Sequence, residues 1–76
     1  MVRKSKSELP LAPVERIIRE TTKMYVSDGA ARELRKVLHE IAERLADDAA
    51  DLANFAGRKT IKRRDIALAT KNMRKR

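Results

Sequence analysis

Hydrophobic residues in this chain recur at helical spacings in three stretches separated by two short breaks. Val14, Ile17, Ile18 and Thr21 stand at i, i+3, i+4 and i+7, which predicts a short amphipathic helix over about residues 12–23. Pro13 suits its first turn, where a missing N–H leaves no hydrogen bond unmade. Arg16, Arg19 and Lys23 are spaced by three and four and share another side, so this helix has an apolar and a basic stripe. Met24-Tyr25-Val26 interrupts the pattern. Ser27 is a good N-cap, and Asp28 suits the positive end of a helix dipole. From Asp28 to Ala56 no proline intervenes and no glycine except Gly29 in the first turn, and Leu34, Val37, Leu38, Ile41, Leu45, Ala49, Leu52 and Ala56 keep one continuous apolar seam. Gly57 stands where a glycine ends a helix, so the seam predicts one helix of about 28 residues, about 42 Å long. Arg58-Lys59-Thr60-Ile61 reads as a short extended loop. Lys62-Arg63-Arg64-Asp65 opens a third helix whose inner face is Ile66, Ala69, Thr70 and Met73, with Leu68 beside it.

The expected fold class is therefore all-α, in the order short helix, long helix, short helix. Residues 1–8 are polar, basic and without periodicity, which predicts a flexible tail ahead of one domain over residues 9–76. The long helix dictates the assembly. A compact globule of 76 residues has a diameter of about 30 Å, shorter than that helix. Two helices of about three turns cannot cover its seam, and Ala42, Ala46, Ala49, Ala50 and Ala53 allow a second long helix to approach closely. Burying each Leu or Ile stabilises by about 1.5–3 kcal/mol, so the expected folding unit is a dimer with crossed long helices. A parallel coiled coil is the competing arrangement. The apolar spacings slip out of the heptad once, and the short helices also need somewhere to pack.

Composition narrows the chemistry. The chain has no Cys and a single His, which removes disulfide scaffolds, zinc fingers and thiol catalysis together. Tyr25 and Phe55 are the only aromatic residues, too few for a base-stacking module that binds single strands. No apolar run approaches the roughly 20 residues of a membrane span, and we expect a soluble intracellular protein with no membrane partner. Net charge is +8 and unevenly spread: +3 over residues 1–7, −3 over residues 8–57, and +8 over residues 58–76. A cationic end on a nearly balanced body points to a polyanion, with nucleic acid foremost. For the first seven residues alone, an ordinary basic tail suffices.

No catalytic constellation, cofactor motif or metal-ligand set is present. His39 has Glu40 and Glu43 nearby, but neither a second His nor a nucleophile, and an exposed surface role is expected. Asp47, Asp48 and Asp51 read as a solvated acidic face. Lys62, Arg63 and Arg64 oppose the dipole at a helix start, a placement that suits an approaching phosphate oxygen. Arg58, Lys59 and Thr60 precede them. Asp65 lies seven residues after Arg58, and we expect a structural ion pair that removes Arg58 from the free cations.

Glu8-Leu9-Pro10-Leu11-Ala12-Pro13-Val14, Arg16-Ile17-Ile18, Val26-Ser27-Asp28, and above all Ala56-Gly57-Arg58-Lys59-Thr60-Ile61-Lys62 with Asp65-Ile66 and Leu68-Ala69 resemble an archaeal histone. The resemblance covers about residues 8–73. It implies the histone fold, an intertwined handshake dimer, double-stranded DNA as the partner, and residence with the chromosome in the cytoplasm. Carried over by position, Arg16 is implied to enter the minor groove and Arg19 to contact the backbone. Lys59, Thr60 and Lys62 are implied to meet phosphates beside the partner's first loop. Arg58 with Asp65 matches the loop-bracing pair, and Leu52, Phe55 and Asp65 match a dimer–dimer interface.

Three positions depart from the family pattern. Tyr25 stands where a basic residue is common, so that phosphate contact is either lost or taken over by Lys23. Phe55 replaces the usual His, which removes a His–Asp hydrogen bond between dimers; Phe55 either packs on its counterpart or leaves the dimers unable to stack. Thr22 replaces a glycine that lets superhelical turns approach. Weaker multimerisation is the expectation. The expected function is architectural: compaction of duplex DNA by a homodimer, or a heterodimer with a paralogue, with little sequence preference. The rivals are a histone-fold subunit of a regulatory complex and an RNA-binding accessory protein.

Overall fold

A computed structural model describes residues 9–75, and the basic tail expected over residues 1–8 lies outside the described residues. Three helices follow one another: α1 (Leu11–Thr22), α2 (Asp28–Phe55) and α3 (Arg63–Arg74), with no strand among the described residues. Helix α2 is 28 residues long and unbroken.

The ends of the helices follow from their sequence. Ser27 Oγ accepts the Ala30 N–H at 3.0 Å, as an N-cap must. One turn inside, Asp28 accepts a hydrogen bond from Arg32 Nε at 2.6 Å. Helix α2 ends in a Schellman turn: the Arg58 N–H reaches Ala53 O and the Gly57 N–H reaches Asn54 O, both at 2.9 Å. Gly57 takes φ +77°, the left-handed region that glycine enters without a Cβ penalty. Helix α1 closes differently. Lys23 adopts φ 61° and donates its N–H to Arg19 O at 2.7 Å. Thr22 helps hold that turn, since its hydroxyl donates to Ile18 O at 2.8 Å and accepts the Met24 N–H at 3.1 Å.

The described residues form two compact units that meet within α2, one through Glu40 and the other from Ile41. In the first, Val14 of α1 and Ala31 of α2 are buried. Arg35 Nη1 also donates to Leu9 O at 3.3 Å, tying α2 to the segment ahead of α1. In the second, Ala49, Ala53 and Ala69 are buried together with Asp65.

Four of these five buried apolar residues are alanines, and no large side chain is fully enclosed. Val37, Leu38 and Ile41 of the α2 seam remain exposed, as do Ile17, Ile66 and Leu68. The inner face expected for α3 is thus only partly inward, because no described element covers Ile66. His39 is half-buried, which corrects the expectation of an exposed side chain.

Candidate nucleic-acid interface

Helix α1 sets out the first group of cations. Its apolar stripe turns Val14 inward, and the same helical period leaves Arg16 and Arg19 in solvent. Lys23, in its left-handed cap, is exposed as well. None of the three forms an ion pair with another described residue. Met24 and Tyr25 follow at 66% and 100% exposure, and Val26 turns partly back toward the protein.

The second group is built on the turn after α2. Arg58 Nη1 donates to Asp65 Oδ2 at 2.8 Å and Nη2 donates to Asp65 Oδ1 at 2.9 Å, a bidentate pair spanning the loop. Arg58 Nη1 also reaches Thr60 O at 3.0 Å, and Asp65 Oδ2 accepts the Lys62 N–H at 2.8 Å. Asp65 therefore braces the loop from both ends and serves as an acidic residue in the first turn of α3, where the dipole favours it. The Arg58 guanidinium, helped by the Lys62 N–H, holds the Asp65 carboxyl far below the usual carboxylate range. Asp65 raises the Arg58 guanidinium in turn, mainly through the same hydrogen bonds. Arg58 Nε is buried with no partner among the described residues.

With its terminal nitrogens engaged, Arg58 is a strut of the loop. Lys59, Thr60 and Lys62 stand outside the brace, all exposed, and neither lysine pairs with a described carboxylate. A rigid loop that displays two lysines and a hydroxyl is suited to phosphate oxygens, since little side-chain or backbone order is lost on contact.

The residues matched to a dimer–dimer interface divide. Leu52 is half-buried and Phe55 is 96% exposed; both line an open groove of about 330 Å³ with Asp48, Asp51, Ala69 and Asn72. Asp65 does not line it, because its carboxylate points into the Arg58 brace. Among the described residues no group of three His, Cys, Asp or Glu side chains is placed to hold a metal, and no helix is long and apolar enough to cross a membrane.

Residues 7–70 match the family described as histone-like transcription factor (CBF/NF-Y) and archaeal histone. The chain belongs to that family. Among relatives, a subunit of the archaeal histone HAN1 of Thermococcus zilligii is 43% identical over 65 residues, covering 86% of this chain and 97% of that one. Probable archaeal histone 3 of Methanocaldococcus jannaschii is 40% identical over 63 residues, covering 83% and 94% respectively. DNA-binding protein HmvA of the same organism is 43% identical over 58 residues, covering 76% of this chain and 60% of its own length.

The short–long–short order of helices is that of the histone fold, and the family is one of DNA-associated architectural proteins. Two features of this archaeal histone lie beyond the expectations drawn from its sequence. The Thr22 hydroxyl closes α1, and Lys23 takes a left-handed conformation. Threonine before lysine after an apolar period was a detectable cue for the first, since a threonine hydroxyl reaches the carbonyl four residues back. Nothing in the residue type announced the second.

Proposed function

We propose that this archaeal histone acts as a dimer that binds and compacts duplex DNA by neutralising phosphates, with little base readout. The observation that carries the reading is the display of exposed cations without described partners at Arg16, Arg19, Lys23, Lys59 and Lys62, in a chain of this family. Thr60 supplies a neutral donor beside them. Arg16 is assigned to the minor groove and the others to the backbone, an arrangement that reads shape and charge more than sequence.

Dimerisation is supported by the apolar side chains left in water. Val37, Leu38, Ile41 and Ile66 are each between 36% and 41% exposed, an arrangement a lone chain would not keep. A second copy laying its own α2 across the first would cover them. The protein is assigned to the chromosome in the cytoplasm.

The test joins light scattering with a salt titration of DNA retention in gels. The reading requires a dimer at micromolar concentration, affinity that falls steeply with salt, and constrained supercoils on closed circular DNA. A well-folded monomer, or affinity indifferent to salt, contradicts it. Structured RNA that outcompetes duplex DNA would favour the RNA-binding alternative. One relative is named as a subunit, which keeps an obligate heterodimer in view; a chain that is unfolded alone and folds only with a paralogue would establish it.

A further inference from the structure

Tyr25 is wholly exposed in the break between α1 and α2, next to Met24, which is itself two-thirds exposed. Its hydroxyl has no partner among the described residues. Of the large apolar side chains among the described residues only Phe55 is comparably bare, and Phe55 faces an acidic groove whereas Tyr25 does not. The Lys23 N–H closes onto Arg19 O, so Tyr25 follows two residues after a cap whose one turn carries both cations. Over residues 16–25 the charge is +2, from Arg16, Arg19 and Lys23 against Glu20. The loop therefore presents an apolar ring with a donor at its tip, beside cations that attract a polyanion.

We propose that Tyr25 contacts duplex DNA directly: the phenol O–H donates to a phosphate oxygen while the ring and Met24 lie along the sugar edge. The inference rests on the DNA-binding reading above and adds to it a component without charge. Tyrosine suits the role because one end of it is apolar and the other is a hydrogen-bond donor. A neutral donor releases no condensed counterion, so this contact adds affinity without adding to the salt slope.

The experiment uses the full chain and a random-sequence duplex. With one Tyr and no Trp in the chain, tyrosine emission reports position 25 alone. We expect a saturable change in that emission whose midpoint tracks gel retention. Tyr25→Ala should bind about tenfold more weakly at every salt concentration with its slope unchanged, and Tyr25→Phe should recover part of the loss. Tyr25→Arg should steepen the slope by about 2 for the two copies in a dimer.

If the duplex is retained while emission stays constant and Tyr25→Ala binds like the parent, the contact is disproved and the DNA-binding reading stands. If the parent chain retains no duplex, both fall. A flattened slope in Tyr25→Ala would mean that the ring only positions Lys23. A changed oligomeric state in that variant would make Tyr25 a protein contact. Either of these results also overturns the proposal.

Discussion

Lys59 and Arg58 are adjacent cations in one loop, yet the structure gives them opposite surroundings, and salt titration separates the roles proposed for them. Arg58 spends both terminal nitrogens on Asp65 and Thr60 O, whereas Lys59 is exposed and meets no described acid. Each phosphate neutralised contributes about 0.9 to the slope of log affinity against log salt. The cations assigned to DNA, Arg16, Arg19, Lys23, Lys59 and Lys62, amount to ten in a homodimer and together contribute about −9 to that slope. Lys59→Ala removes two of them and should flatten the slope by about 1.8. Between 50 and 200 mM salt, the affinity deficit of this variant should then shrink by about 12-fold.

Arg58→Gln should instead lower the melting temperature, because Asp65 keeps its charge and loses its partner, while the slope moves by less than about 0.5. The assay is gel retention or fluorescence anisotropy on one duplex at several salt concentrations, with circular dichroism confirming that each variant is folded. Equal flattening by both substitutions, or an unchanged slope in Lys59→Ala, would refute the division of labour.

Gly57→Ala isolates a backbone effect: a Cβ there meets nothing within 4 Å, so the loss should be the left-handed cost alone, about 1–2 kcal/mol per chain, read by thermal or urea unfolding. Lys23→Gly should work in reverse, stabilising by about 1 kcal/mol through relief of φ 61° while flattening the salt slope by about 1.8, so that stability and DNA affinity move in opposite directions. Asp65 is depressed in the folded state, so its contribution is fully present above the unfolded carboxylate value of about 3.9 and is lost as pH falls below it. The acid limb of stability should therefore be shallower in Asp65→Asn than in the parent, which is itself more stable at neutral pH; parallel acid limbs in the two proteins would contradict the brace.

The element order was legible from periodicity because the long helix carries both of its punctuation marks. Ser27 and Gly57 bracket α2, and their chemistry, a hydroxyl acceptor and a residue without Cβ, acts within one turn and needs no tertiary partner. The exposure of Arg16 and Arg19 on α1 followed from spacing for the same reason, whereas Lys23 lies one residue past the helix in its left-handed cap. The spacing of Arg58 and Asp65 suggested a pair, but only the Schellman turn, by reversing the chain at Gly57, brings the guanidinium and carboxylate into bidentate register.

Sequence by itself thus determined three helices, their limits to within a residue or two, and the surplus of positive charge, since all of these depend on local periodicity and composition. Tertiary structure decided which cations are free and which is a strut, and that Asp65 is enclosed while Phe55 stands in solvent. Those outcomes depend on where a loop folds back in space. A side chain's partners are fixed by through-space distance, and residues 58 and 65 become neighbours only once the chain has turned.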